Sequence, residues 1–580
     1  MNLIEALEIL KQPVPKDAPE RTVFLACGFT PLHLQNFLAA QLRIRHPQHR
    51  VEVKTGIFGD LTGNVERMES SGVHALVVVV EWGDLDPRLG LRSLGGWQVE
   101  RLPDIVNSVN QSLERLRRAL QGISSRPPTC ICLPTLPLPP LFYTGIEQSS
   151  SFELSLRRNV SCFAEAISVD RWVSVASGQR LDEISPPDKR FDLRTEITQG
   201  FPYKTPHASA IGELLAKLAF RHEPKKGLIT DLDDTLWAGI LGEVGVEGIH
   251  WHLEEHAHLH GIYQQFLASL ASAGVLIAAA SKNDAAIVDR ALERDDLLLS
   301  RASVFPIEAH WSPKSESVQR ILKKWNVLAE SVVFIDDSPM EVAEVQDAFP
   351  DMECVVFPKS DYSAFWRLLS DLRNRFAKVA ISEEDSMRLE SIRNSEAFRQ
   401  PGGEDRNRLD LFLQQADGRL SFDLGKPGEN ARAFELINKT NQFNLNGRRY
   451  DEAAWSRLLE DARSHLVTVS YKDKFGSLGR IAVLIGRVLE KKFVLESWVM
   501  SCRAFSRRIE YHCLQYLFEK FNVAEIAFAL ESTSRNGPMI EFLQQLLDDR
   551  IEINPLLTKA SFLKMAPKMP HHVKEVCANA

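Results

Sequence analysis

At 580 residues the chain is too long for a single hydrophobic core, and about three or four domains are expected. Its 44% apolar and 25% charged residues exclude a disordered composition, and a net charge of -8 excludes a general nucleic-acid binder, which needs a concentrated basic face. The longest apolar stretches, HALVVVV and VLIAAAS, fall well short of the roughly 20 residues that cross a bilayer, so no membrane segment is expected.

The opening MNLIEALEILKQPVPKD reads as a short amphipathic helix stopped by prolines, without the basic start and long apolar segment of a secretory signal. From Arg21, strand-like and helical runs alternate: RTVFLACGF, PLHLQNFLAAQLRIRH, VEVKTGIF, HALVVVVEW, IVNSVNQSLERLRRALQGI and TCICLP. That alternation predicts a doubly wound α/β layer on a parallel sheet. PTLPLPPL at 134–141 interrupts it as loop, and a helix at 208–222 closes a first domain, 1–223. The eight cysteines are scattered, with neither disulfide nor zinc-ribbon spacing, which fits a reducing cytoplasm.

A second α/β pattern opens with GLITDLDDTLW at 227–237 and continues through VLIAAAS, SVFP and VVFIDD, defining a domain over 224–375. The residues 376–418 read as a helical connector. From 419 to 580, the runs RLSFDL, HLVTVSYKD, RIAVLIGRVLE and FVLESWVM mix with the amphipathic helices ARAFELINKTNQF, RRIEYHCLQYLFEK and PMIEFLQQLLDD, predicting an α+β domain with a partly antiparallel sheet.

Chemistry concentrates in the second pattern. Asp231, Asp233 and Thr235 follow a buried strand, and ligand chemistry in open α/β sheets occurs at the carboxyl ends of strands. Two acids at such an exit can divide labour, Asp231 attacking phosphorus and Asp233 managing the leaving-group proton. A carboxylate approaches an anionic phosphate only beside a cation, so Mg2+ is expected, held by Asp231, Asp233 and Asp336, with Asp337 alongside. Ser281, ending VLIAAAS, is placed to bond phosphoryl oxygens, and Lys314 in WSPK to offset their charge. Only about forty-five residues separate Thr235 from Ser281, too few for a large lid domain, and Gly239, Gly242, Gly245 and Gly248 suggest a flexible flap. His252-Leu-Glu-Glu255-His256 fits an H-x-x-E-H zinc pattern if helical, but its neighbours His250, His258 and His260 read as a surface helix.

Together Asp231, Asp233, Thr235, Ser281, Lys314, Asp336 and Asp337 resemble the four motifs of the haloacid-dehalogenase superfamily. DLDDTLWAGILGE, SKND, WSPKSESV, FIDDSPMEV and NKTNQFNLNGRRY resemble its FkbH-like subgroup (subfamily IIIC), over nearly the whole chain. That resemblance implies transfer of a glyceryl group from a small phosphorylated acid, 1,3-bisphosphoglycerate, to a phosphopantetheinylated acyl carrier protein, with loss of phosphate, in polyketide-type biosynthesis. It also implies that Thr235, Lys282, Asn283 and Asp337 contact substrate. The strand before Ser281 commonly ends in cysteine in that family and here reads Ala278-Ala279-Ala280, so a thioester relay would need another thiol. Cys502 is the candidate, with Arg503, Arg507 and Arg508 favouring a thiolate; a buried structural cysteine is the plainer reading.

The C-terminal region resembles a GNAT-type acyltransferase, with RAFSRR in place of a glycine-rich pyrophosphate loop, so that Arg503, Arg507 and Arg508 would hold a phosphopantetheine phosphate. Lys472, Lys474, Arg480, Arg487, Lys491 and Lys492 add positive charge for an acidic carrier. The N-terminal region resembles the SGNH-hydrolase fold, but Gly28-Phe29-Thr30 stands at the nucleophile position and Lys204, not aspartate, precedes His207 by three residues, which points to a docking or structural layer. The expected class is therefore α/β and multidomain: a Rossmann-like haloacid-dehalogenase core between an SGNH-like α/β domain and a GNAT-like α+β domain. Alternatives are a magnesium-dependent small-molecule phosphatase with structural flanks, a GNAT-type N-acyltransferase fused to such a phosphatase, and a carrier-protein scaffold, the last disfavoured by the intact Asp231 and Asp233.

Overall fold

The structure, a computed structural model, describes residues 1–580 except 16, 69–71, 124–125, 141–143, 379–380, 382–384, 386–387, 391, 394–413, 415, 426–430, 441–442, 475, 502–503, 505–506, 534–535, 548–554 and 577–580. The chain divides into two units, Met1–Glu223 and Pro224–Ala580. Much of the expected connector lies outside the described residues.

In the first unit, β1 (Glu20–Cys27), β2 (Arg50–Thr55), β3 (Ala75–Val79), β4 (Thr129–Cys132) and β5 (Val173–Val175) form an all-parallel sheet in the order β2-β1-β3-β4-β5. Every residue of β3 and β4 is buried, as happens when helices cover both faces of a parallel sheet. Phe37 and Leu215 pack with Val23 and Val77 on one face, Val109 and Leu113 with Leu76 and Val78 on the other. The three residues of β5 are too few for a hydrophobic period to reveal them in the sequence.

The second unit holds two sheets. In the first of these, β6 (Gly227–Thr230), β7 (Leu276–Ser281), β8 (Val304–Ala309), β9 (Val332–Asp336) and β10 (Glu353–Val356) run parallel in the order β10-β9-β6-β7-β8. The chain builds β7 and β8 on one side of β6, then returns to build β9 and β10 on the other, and the reversal opens a crevice at the carboxyl ends of β6 and β9. Gly227 is required at the start of β6, because a Cβ there would stand 2.4 Å from the Trp325 ring of the covering helix Lys314–Trp325.

The other sheet contains β11 (Arg419–Asp423), β12 (Ser464–Asp473), β13 (Gly476–Leu489), β14 (Lys492–Met500), β15 (Glu525–Phe528), β16 (Leu556–Thr558) and β17 (His572–Val576), in the order β16-β15-β14-β13-β12-β11-β17. It is mixed: β11 to β14 are antiparallel neighbours, whereas β14 with β15 and β11 with β17 are parallel pairs.

One expected helix is cut short. Instead of running to Phe443, it spans Ala431–Lys439, and Phe443–Asn446 wedges beside β14 where its pairing with β15 ends at Leu495 and Phe528. The Leu445 N–H donates to the Trp498 carbonyl (2.9 Å), and the Glu531 N–H donates to the Leu445 carbonyl (3.2 Å). The Asn446 amide donates to both Glu496 and Ala529 carbonyls (2.8 and 3.0 Å), and buried Asn536 donates to those of Asn444 and Glu531 (3.0 and 2.9 Å). These bonds satisfy strand edges that would otherwise lie open. The asparagine-rich run is thus architectural.

Candidate active site

The acids and bases of the second unit gather because each terminates or follows a strand of one parallel sheet. Asp231 follows β6, and its N–H donates to the Ile335 carbonyl of β9 (2.8 Å), fixing it beside Asp336, the last residue of β9. Lys314 opens the helix after β8 and is buried; its Nζ donates to Asp231 Oδ1 (2.5 Å) and Asp336 Oδ2 (2.6 Å) and lies 3.0 Å from Glu341 Oε2. Carboxylate oxygens of Asp231, Asp336 and Asp337 lie within 4.8 Å of one another.

Burial drives the electrostatics here. It pushes the Asp231 carboxyl well above the ordinary range, against the pull of the Lys314 ammonium and with the help of the Asp336 charge. Asp336 is raised for the same reason. For Lys314, burial disfavours the ammonium, but the two carboxylates outweigh it and hold the group charged. Glu341 stays below the usual range despite partial burial, because Lys282 and Lys314 both face it.

Asp233 stands apart from that trio. Its Oδ1 accepts from the Trp237 indole N–H (3.0 Å) and the Leu241 N–H (3.2 Å), and its Oδ2 accepts from Asn283 Nδ2 (2.9 Å). Among the described residues the carboxylates that come together are those of Asp231, Asp336 and Asp337, whereas the side chain of Asp233, expected beside them, takes the partners above. Asn283 Nδ2 also donates to Ser281 Oγ (2.9 Å), which aligns that hydroxyl with Asp233. Lys282 Nζ pairs with Glu341 Oε1 at 2.8 Å. Thr235 is fully buried and its hydroxyl has no partner among the described residues, an unmet hydrogen-bonding capacity in the loop that carries Asp231 and Asp233.

Sequence reasoning missed three groups. Glu341 joins two lysines, Lys314 and Lys282. Lys359, just beyond β10, bridges Asp234 Oδ2 (2.8 Å) and Asp337 Oδ2 (2.9 Å). Asp234, in a left-handed conformation (φ 49°), accepts from the Gly239 N–H (2.9 Å) and so anchors the flap. A charged residue just past a fifth strand was the available signal for Lys359, but β10 itself went unrecognised. The flap is a small hairpin in which Ala238 pairs with His250 between buried Trp237 and Trp251. The histidine pattern is no zinc site, because His252, Glu255 and His256 lie in turns, so the shared helical face does not exist; His252 instead stands 3.5 Å from Asp296.

Elsewhere the expected residues are more dispersed. Cys502 and Arg503 lie outside the described residues. Arg507 is buried, its guanidinium over the Tyr471 ring and 4.0 Å from Asp473. Arg508 donates to the Lys568 carbonyl (2.8 Å). Arg487 pairs with Glu496 and Lys492 with Glu525, which thins the expected basic face. In the first unit, the Thr30 hydroxyl donates to the Gln199 carbonyl (2.8 Å), and His207 is buried between Ser185 Oγ (2.8 Å) and Thr135 Oγ1 (2.9 Å), so these two do not form a nucleophile and base pair.

The donor set at Asp231, Asp336 and Asp337 is all oxygen, which suits a hard cation such as magnesium. The surrounding carboxylates, Asp231, Asp233, Asp234, Asp336, Asp337 and Glu341, outnumber the ammonium groups of Lys282, Lys314 and Lys359, an imbalance that a divalent cation would offset. No helix among the described residues is long and apolar enough to cross a membrane.

No protein-family model matches the sequence, and no curated protein does. Among solved structures, the chain is similar to the N-terminal part of a Bacteroides fragilis protein containing a phosphatase domain, complexed with Mg: 17% identity, 66% of this chain and 100% of that one, TM-score 0.50. That likeness is one of fold. An uncharacterized protein from Corynebacterium glutamicum aligns at 16% identity over 27% of this chain and 98% of its own, with a TM-score of 0.19.

Proposed function

We propose that the chain is a magnesium-dependent phosphatase that works through an aspartyl nucleophile. The observation that carries this reading is the buried Lys314 ammonium, 2.5 and 2.6 Å from Asp231 and Asp336 at the carboxyl ends of adjacent parallel strands. The Bacteroides fragilis structure, with its phosphatase domain and Mg, supports it.

An Asp231 oxygen attacks phosphorus; the bond from phosphorus to the leaving oxygen breaks, and that oxygen departs with the electron pair and takes a proton at Asp233. Asp233 then accepts a proton from water, whose oxygen attacks the phosphoryl group, releasing inorganic phosphate and restoring Asp231. Asn283 holds Asp233 and Ser281 in register, and Lys314 and Lys282 supply positive charge to the phosphoryl oxygens. Magnesium, held by Asp231, Asp336 and Asp337, would supply the charge that lets an anionic phosphate approach a carboxylate. Hydrolysis of p-nitrophenyl phosphate that requires Mg2+ and vanishes in Asp231→Asn is the expected result; Mg2+-independent hydrolysis, or an active variant, would refute the reading.

A finer reading is glyceryl transfer from 1,3-bisphosphoglycerate to a phosphopantetheinylated carrier protein, in which the phosphate is lost at the same site. What favours it is the short insertion between β6 and β7, where the chain forms only the flap, short turns and the helix His258–Ser272 and no separate lid domain. Mass spectrometry of a carrier protein after incubation with enzyme, Mg2+ and the acyl phosphate tests it: added glyceryl mass supports transfer, release of phosphate alone leaves the phosphatase.

A further inference from the structure

Three large apolar side chains stand in solvent around the phosphoryl site: Ile240 (44% exposed), Trp311 (75%) and Met340 (75%). Single exposed apolar residues are ordinary on protein surfaces. These three differ because they come from three separate segments that follow β6, β8 and β9 at the same end of one parallel sheet, two of them loops and the third the first turn of the helix Pro339–Ala348, and each adjoins a residue bonded to the site. The Leu241 N–H, next to Ile240, donates to Asp233 Oδ1 (3.2 Å). The His310 N–H, next to Trp311, donates to the Ser281 carbonyl (3.1 Å), and Lys314 follows three residues later. Glu341, next to Met340, reaches Lys314 and Lys282 at 3.0 and 2.8 Å.

The Trp311 loop is held on both sides. The Ser312 N–H donates to His310 Nδ1 (3.2 Å), and His310 Nε2 lies 2.9 Å from Ser317 Oγ. The indole is therefore presented by a fixed backbone. Consecutive Cα atoms are about 3.8 Å apart, so each apolar side chain begins within one residue of a group touching Asp233, Ser281 or Lys314.

Resting on the phosphatase reading of this site, we propose that Ile240, Trp311 and Met340 form an apolar collar that selects phosphate substrates whose organic part is extended and apolar next to the phosphate. A small polar alcohol would leave the collar in water, whereas an aromatic or aliphatic group would cover it, and burial of that surface favours binding.

The test compares phenylphosphonate with methylphosphonate by calorimetry in the presence of Mg2+, a measurement that needs no turnover. The wild type should bind the phenyl compound about tenfold more tightly, and Trp311→Ala and Met340→Ala should each cut that preference to about threefold or less, in line with the modest discrimination of apolar contacts. The exposure of both side chains makes either variant a surface change. Equal binding of the two phosphonates by the wild type, no binding of either, or an undiminished preference in both variants would overturn the collar. Hydrolysis of phenyl phosphate, measured separately, decides the phosphatase reading.

Discussion

Lys314 Nζ lies 2.5 Å from Asp231 Oδ1 with both side chains buried, so the ammonium and the carboxylate neutralise each other where water cannot. Lys314→Met keeps the length of the side chain but leaves Asp231 and Asp336 without their shared cation. Breaking a buried pair from one side typically costs roughly 3–5 kcal/mol. The variant should lose about that much stability in urea unfolding and lose hydrolysis. Added Mg2+ should raise its unfolding midpoint more than it raises that of the wild type, because a cation bound to the folded state replaces the missing charge.

The side-chain partners of Asp233 separate metal binding from proton transfer. Asp336→Asn and Asp337→Asn should weaken Mg2+ binding in calorimetry by at least about tenfold, as expected when one charged oxygen ligand is lost. Asp233→Asn should bind Mg2+ within about threefold of the wild type yet lose turnover by about 10²–10⁴-fold, the usual contribution of a positioned acid and base. A large loss of Mg2+ affinity in Asp233→Asn would place that side chain among the ligands after all.

Glu341 supports two lysines at once, and Glu341→Gln removes its charge with little change of shape. With their shared acceptor neutral, Lys314 and Lys282 should hold a phosphate less well, and kcat/KM should fall about 10- to 100-fold, as supporting residues around metal sites commonly show. Michaelis kinetics with p-nitrophenyl phosphate check this, and Glu341→Asp should recover part of the loss.

His207 of the first unit is pushed down to about 3 by burial, with the Arg190 charge adding to the effect. The folded state therefore binds fewer protons than the unfolded chain below pH 6.5, and the contribution of this group to stability, complete above that value, declines as pH falls towards the folded pKa. The slope approaches about 1.4 kcal/mol per pH unit for one proton. Glu81, in the same network and raised to about 7 by burial, works in the opposite direction, so the comparison with His207→Gln isolates the histidine. Denaturation of the two proteins between pH 7 and 5 should give a steeper loss on acidification in the wild type; parallel curves would contradict it.

The sequence alone located the apolar strands and the groups at their ends. β3, β6, β7 and β9 are buried on both faces and read as continuous apolar runs, and each of the last three ends at or beside Asp231, Ser281 or Asp336. Parallel strands place all their carboxyl ends on one edge, so the assembly of these groups could be inferred without knowing which strands are neighbours. The N-terminal alternation was legible for the same reason. Short, partly exposed elements such as β5 and β10 were not, because three or four residues that are not buried on both faces give neither a continuous apolar run nor a period.

What only the tertiary structure decided is where each side chain turns once its strand has delivered it. Asp233 is drawn to the indole of Trp237 and to Asn283, while the carboxylate of Asp337 comes beside those of Asp231 and Asp336; Glu341 finds two lysines, and Lys359 reaches Asp234 across 125 residues of chain as well as nearby Asp337. The helix expected to run to Phe443 stops at Lys439, and just beyond it the Asn446 amide and the Leu445 backbone are claimed by the diverging edges of β14 and β15. A carboxylate or an amide takes its orientation from the strongest partner within about 3 Å, and when that partner lies a hundred residues away, folding alone brings it into reach.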